Sequence, residues 1–248
     1  MTSLRTIITT RRAASLLGIG VLALAACSPS ATTGGGASDG GGASDGQTAV
    51  SSDRTEVAAL TPRIVLAHDG GVTTIDSADG AVLGSADVEG YVRLNPAGDG
   101  RHVALSTADG FTFYDTGLLA QGHGDHFHSY VQDPALTDIT VQAPHPGHVV
   151  PHAGRTALFA DGTGAVTLFD PASLADGTLG KVQETATGDP HHGVAVPMEG
   201  GGLLLTQGTE EERSAVQVKD ASGKVVAQTD DCPGIHGGPP RSPARAAT

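Results

Sequence analysis

The sequence predicts an all-β protein with the fold of a β-propeller. From about residue 60, short segments rich in β-branched and aromatic residues alternate with turns of glycine, aspartate and proline, and helical periodicity is almost absent. A unit of strand, turn, strand and aspartate also recurs along the chain. Since four-stranded units that repeat every 40–50 residues or so are typical of propeller blades, we expect about three and a half blades of a larger propeller over residues 60–238.

Individual strands and repeat copies can be located by their bounding turn residues. In the first half of the region we predict strands at 63–67, 72–76, 91–94, 102–106 and 111–115. The repeat occurs at 100–115 and 154–170, with a weaker copy at 201–220 and an opening half copy at 64–76. These copies favour a propeller over a sandwich or a single barrel.

The N-terminal residues resemble a bacterial lipoprotein signal. Three arginines precede an apolar run over 13–24, and Leu24 with the small residues Ala25 and Ala26 forms a cleavage site before Cys27. Residues 1–26 are therefore predicted to be a signal peptide. Cleavage before Cys27 would leave that cysteine to carry a lipid at the outer face of the cytoplasmic membrane. An uncleaved membrane anchor is the alternative, and Arg11-Arg12 matches a twin-arginine signal in part, which leaves both Sec and Tat export open.

Residues 27–59 are predicted to form a flexible tether because glycine, serine, alanine and threonine dominate their composition. Loss of residues 1–26 would remove three arginines and move the formal net charge from −13 to −16. An acidic chain of this kind excludes a basic patch for nucleic acid, and it raises the local concentration of cations.

A cluster of histidines predicts a metal site. His123, Asp125, His126 and His128 lie within six residues, and flanking glycines let the backbone bend so that their side chains converge. Neutral imidazole is a common ligand of zinc, but copper and nickel accept it as well. The alternative is a solvated polar loop whose histidines bind nothing.

A second set of histidines follows the repeat. His148, His192 and His236 are each 44 residues apart, and each follows a turn rich in proline or glycine that opens a repeat unit. Because the first strand of a blade lines the central channel of a propeller, we expect these side chains to converge near the axis. The alternative is that each histidine fills a core position or bonds a loop carbonyl.

Four segments in this order resemble the AztD zinc metallochaperones. They are His123-Gly124-Asp125-His126; His148-Val149-Val150 with residues 154–162; Pro190-His191-His192-Gly193; and Cys232-Pro233-Gly234-Ile235-His236-Gly237. The resemblance implies an extracytoplasmic propeller that passes zinc to the solute-binding protein of a zinc ABC importer. It also implies that His123, Asp125, His126 and His128 form a mobile His-rich loop, and that His148, His192 and His236 occupy recurring histidine positions.

The C-terminal residues depart from this family. Residues 239–248 have no strand pattern, whereas the family continues through further blades, so we expect a disordered tail produced by a frame shift or a truncated gene model. Sequencing the gene through the codons for Gly237 and Pro239 tests this, because one uninterrupted frame would contradict it. Cys232 has no partner in the chain if Cys27 carries a lipid.

Two other functions remain open at this level. An extracytoplasmic propeller enzyme of the lactonase or quinoprotein type would use His148 or His192 as an acid or base. Against it, the chain has no Gly-x-Ser-x-Gly motif and no clear nucleophile beside a histidine. A non-metal binding scaffold of the envelope is the third possibility, although a chain without tryptophan is poor in the aromatic anchors that interfaces favour.

Overall fold

The computed structural model describes residues 53–235, and within them β-strands dominate. The predicted signal peptide, the lipidation site Cys27, most of the tether, His236 and the tail at 239–248 lie outside the described residues. Two short 3-10 helices, Pro171–Asp176 and Glu199–Gly201, interrupt the strands. No helix in the described part of the chain is long and apolar enough to cross a membrane.

Four antiparallel sheets follow one another along the chain. The first blade contains β2 (Arg63–His68), β3 (Gly71–Asp76) and β4 (Val82–Asp87). The second contains β5 (Arg93–Pro96), β6 (His102–Ser106), β7 (Gly110–Asp115) and β10 (Ala135–Gln142). The third contains β11 (Pro146–His152), β12 (Arg155–Ala160), β13 (Ala165–Phe169) and β14 (Gln183–Ala186). The fourth contains β15 (Ala195–Pro197), β16 (Leu203–Gly208), β17 (Arg213–Lys219) and β18 (Val225–Thr229).

Neighbouring blades contact each other through their first strands, since β11 contacts both β5 and β15. Consecutive antiparallel sheets that meet in this way form a β-propeller, so the predicted fold class is confirmed. The repeat copies at 100–115, 154–170 and 201–220 become the second and third strands of their blades, and the half copy at 64–76 becomes β2 and β3.

The hydrophobic core lies between blades. Phe113 of the second blade meets Phe169 of the third edge to face, with ring centroids 5.6 Å apart. Phe159 and Leu205 pack between the third and fourth blades. Tyr114 packs on Val72 of the first blade. Side chains from both sheets of each pair exclude water, so every blade depends on its neighbour for a buried face.

A fifth sheet carries the histidine cluster. It contains β1 (Thr55–Val57), β8 (Leu118–His123) and β9 (His126–Val131), in the order β1-β9-β8. We call it the hairpin sheet because β8 and β9 form a β-hairpin. Strand β1 falls within the stretch predicted as tether, so regular structure begins five residues before residue 60.

Candidate metal centres

The hairpin formed by β8 and β9 brings three histidines together at its tip. Strand β8 ends at His123 and β9 begins at His126, with Gly124 and Asp125 as the two turn residues. Gly124 has φ +60°, and the first position of a two-residue type II′ turn requires a positive φ, which glycine adopts without strain. In the register of the hairpin, His123 lies opposite His126. Directly opposite residues share a face of the sheet, so both imidazoles project on the same side.

His128 lies on that face too, because side chains alternate along a strand and His128 is two residues beyond His126. The Nε2 atoms of His126 and His128 are 3.1 Å apart. The His123 ring is centred 5.3 Å from that of His126 and 5.6 Å from that of His128. One ring nitrogen from each of the three lies within 4.8 Å of the other two, so this group has the geometry to hold a metal ion. We call it the hairpin cluster.

Carboxylates hold the outer nitrogens of two of these rings. His126 Nδ1 is 3.2 Å from Asp125 Oδ1, and His128 Nδ1 is 2.6 Å from Glu56 Oε1 of strand β1. An ionised carboxylate only accepts hydrogen bonds, so Nδ1 donates in each of these contacts. The two Nε2 atoms share the hydrogen bond between them, in which one donates and the other accepts through its lone pair. Ligating histidines in metal sites are held in this way.

The structure refines the sequence interpretation of the cluster in two respects. The six residues predicted as a mobile loop form two paired strands and a tight turn, because the Gly124-Asp125 turn permits β8 and β9 to pair up to His123 and His126. Asp125 contacts the outer nitrogen of His126 instead of joining the three ring nitrogens, and its side chain is fully exposed. Its assignment as a metal ligand stays a prediction.

Two histidines of the 44-residue series also lie together. His148 is in β11, His192 precedes β15, and their ring centroids are 4.9 Å apart. We call them the inner pair. His192 Nδ1 is 2.6 Å from Asp161 Oδ2, and His148 Nδ1 is 3.3 Å from an Arg93 guanidinium nitrogen. The predicted convergence therefore holds for these two, whereas His236 lies outside the described residues.

Small residues make the contact between Asp161 and His192 possible. A Cβ atom on Gly147 would lie 2.0 Å from Asp161 Oδ1, so only glycine leaves room for the carboxylate. A Cβ on Gly193 would lie 2.5 Å from His191 Nε2 and 2.6 Å from the Phe159 ring. Both glycines are needed for packing, not for a positive φ.

A cavity of about 270 Å³ adjoins His192 of the inner pair. His192 and Asp161 line it, together with His145 and Glu210. His145 has φ +50°, an uncommon conformation for a residue with a side chain. His192 therefore borders a space that is large enough for water and a small ion.

Other histidines have structural roles. His191 is fully buried and bonds the Asp189 carbonyl and the Thr206 hydroxyl. His152 donates from Nδ1 to the Pro197 carbonyl at 2.7 Å. Sequence analysis missed Glu56, Asp161 and Arg93 as partners of the clustered histidines, since each is 31 or more residues away from its partner along the chain.

Comparison with known proteins gives one consistent relationship. No family model matches the chain. The zinc chaperone AztD of Citrobacter koseri is 29% identical over 173 residues, which cover 67% of this chain and 40% of that protein. The crystal structure of Citrobacter koseri AztD superposes with a TM-score of 0.62 at 25% identity, covering 71% of this chain and 48% of that one. Apo AztD from the same organism has a TM-score of 0.60 at 23% identity, covering 70% and 48%. The chain thus spans less than half the length of the relatives it matches.

Proposed function

We propose that this chain, which resembles zinc chaperones of the AztD type in sequence and fold, binds zinc and passes it to the solute-binding protein of a zinc ABC importer. The proposal includes an extracytoplasmic location, with the protein held to the membrane through a lipid on Cys27. It includes no catalytic step, and zinc is the cargo of the protein, not a resident cofactor.

The observation that carries the proposal is the distance of 3.1 Å between the Nε2 atoms of His126 and His128. With both Nδ1 atoms donating to carboxylates, the two Nε2 atoms face each other across a hydrogen bond, and a metal ion can take the place of the proton between them. Two nitrogens bound to one tetrahedral zinc at about 2.0–2.1 Å lie about 3.3 Å apart. The imidazoles therefore fit the ion with small side-chain adjustments.

The exposure of the hairpin cluster suits transfer better than storage. His126 is 55% exposed at its side chain and His128 is 35% exposed. Three imidazoles leave a fourth tetrahedral position open, where a ligand of the acceptor can bind before a histidine dissociates. Stepwise exchange avoids release of the free ion, and the acidic chain, with a net charge of −13, favours capture of a cation.

The inner pair supplies a second place for the same cargo. His148 and His192 are half-buried, and Asp161 fixes the ring of His192. Because a carboxylate that holds the outer nitrogen of a ligating imidazole strengthens metal binding, the pair with His192 fixed by Asp161 is suited to hold an ion longer than the hairpin tip. We therefore propose that the hairpin cluster exchanges zinc and that the inner pair retains it.

Metal analysis of the purified protein tests the proposal, and zinc is expected in preference to copper and nickel. In a competition titration, His126→Ala combined with His128→Ala should lower zinc affinity by more than the 10–100-fold or so that the loss of an outer-sphere partner costs. His68→Ala is the matched control, since this exposed histidine bonds only Asp69 and Thr73 in the described structure. Unchanged affinity in the double variant would remove the hairpin cluster from the mechanism.

Transfer and location require separate measurements. Zinc-loaded protein should pass its ion to a candidate solute-binding protein in the presence of a chelator that captures free zinc. Cys27→Ser should release the exported protein from the membrane fraction. Turnover of a lactone or sugar substrate by the metal-free protein would instead favour the enzyme alternative.

A further inference from the structure

We propose that Glu56 is a positioning residue of the hairpin cluster, which presents His128 Nε2 to the metal by holding the opposite side of the ring. The inference rests on the proposed function, because it concerns the same cargo. It assigns a role to strand β1, whose residues fall in the segment that composition predicts to be a tether.

The first step is the contact itself. Glu56 Oε1 is 2.6 Å from His128 Nδ1, a short hydrogen bond between groups 72 residues apart in sequence. Because the ionised carboxylate only accepts, the proton of the neutral ring sits on Nδ1 and the lone pair on Nε2. That lone pair faces His126 Nε2 at 3.1 Å. Glu56 thus selects the ring form in which His128 can bind a cation at the cluster.

The second step is the backbone register that brings Glu56 there. Strand β1 pairs antiparallel with β9, and Glu56 lies opposite Tyr130. Tyr130 is two residues beyond His128, so all three side chains share one face of the hairpin sheet. The Tyr130 ring stacks on His128 with centroids 6.3 Å apart and planes 24° apart. His128 is therefore held at its edge by Glu56 and on its face by Tyr130.

The third step separates positioning from direct ligation. The carboxylate of Glu56 is bonded to Nδ1, whereas the metal-facing atom of His128 is Nε2 on the other side of the ring. A group that binds Nδ1 cannot reach the ion while it keeps that bond. Asp125 makes the corresponding contact with His126, but it lies next to that histidine in sequence, whereas Glu56 depends on β1 pairing.

The test compares two substitutions at one position. Glu56→Ala removes the acceptor, and we expect zinc affinity to fall about 10–100-fold. Glu56→Gln removes the charge but keeps an acceptor oxygen, so it should stay within about threefold of the natural protein if orientation is what Glu56 supplies. Equal losses in both variants would show that Glu56 only attracts the cation, which would overturn the proposal.

A second measurement is independent of zinc. In the metal-free protein, nitrogen NMR of the His128 ring should show the proton on Nδ1, and Glu56→Ala should shift it to a mixture of the two ring forms. Thr55→Ala, on the same strand but on the other face, is the control for loss of β1 pairing. If the natural protein has this ring form but binds no zinc, the proposed function fails while the positioning role stands. If zinc binds and Glu56→Ala changes neither readout, only the positioning role fails.

Discussion

Individual residues of one type have very different roles in this molecule, and their partners decide which. His191 is buried, with both nitrogens bonded within the core, so it stabilises the fourth blade. His128 has the same side chain at a partly exposed position, and one of its nitrogens is held by Glu56 while the other faces a second imidazole. Burial with both nitrogens bonded to core groups indicates a structural role, whereas a nitrogen that faces another imidazole near the surface indicates a binding role.

Asp115 is the residue for which a pH effect on stability is best defined. Burial alone would raise the pKa of this carboxyl, but hydrogen bonds from Arg101 and the Gly117 backbone, together with the charge of Arg101, hold the pKa below its usual value. Arg101 Nε lies 2.8 Å from Asp115 Oδ1, and each side chain is only 10% exposed. A pKa that is lower in the folded state gives stability that is present above about pH 4, the unfolded value, and is lost as pH falls further.

Asp115→Asn should therefore lower the free energy of unfolding at neutral pH by about 3 kcal/mol, because it leaves Arg101 buried without its counter-charge. The difference from the natural protein should narrow as pH falls below about 4, because the unfolded natural protein then binds a proton at Asp115 that the lowered pKa of the folded state resists. Urea unfolding at pH 7 and near pH 3 measures both quantities. Asp138→Asn, at an exposed carboxylate, should change neither the stability at pH 7 nor its loss in acid. If the Asp115 variant lost as much stability between pH 7 and pH 3 as the natural protein does, the expectation would be contradicted.

At the scale of elements, the turn between β12 and β13 connects two blades. Asp161 lies in this turn of the third blade and bonds His192, which leads into the fourth. Gly147→Ala would place a methyl group 2.0 Å from Asp161 Oδ1 and displace the carboxylate from the His192 ring. We expect zinc retention at the inner pair to weaken while binding at the hairpin cluster is unchanged.

Zinc titration with dissociation kinetics measures this effect as a faster release of the retained ion. The matched control is Gly188→Ala, since a Cβ atom there meets nothing within 4 Å and the backbone needs no positive φ. Equal release rates in the Gly147 variant and the natural protein would show that the inner pair is independent of Asp161.

The elements also show what local sequence can and cannot predict. Strands β6 and β12 were predictable because each repeats a pattern of glycine, arginine and apolar residues that is closed by a turn. The approach of His123 to His126 followed from the glycines around them, although strand pairing at the hairpin was not anticipated. Strand β1 could not be predicted: three residues, Thr55-Glu56-Val57, have no detectable period, and their pairing depends on β9, about 75 residues later. Glu56 was missed for that reason.

At the scale of the whole molecule, the first blade differs from the others at its inner edge. In the repeat, β2 of the first blade corresponds to β6 of the second. Strand β6 pairs with β7 on one edge and with β5 on the other, whereas β2 pairs with β3 on one edge and with no described strand on the other. Ile64 is 44% exposed and Leu66 47% exposed on one face of β2. An open strand edge with exposed apolar side chains is a site for pairing with another chain.

We therefore expect the purified chain to associate in a concentration-dependent way through β2. Leu66→Lys should reduce this association, because a charged side chain on an edge strand disfavours pairing with a second chain. Light scattering coupled to size-exclusion chromatography over a range of protein concentrations measures it. The control is Val82→Lys on β4, which is 67% exposed at the other edge of the same sheet. A monomer at all concentrations would show that β2 is not the contact. Equal effects of the two substitutions would show the same, since β2 is the edge at which no described strand takes the place that β5 has beside β6.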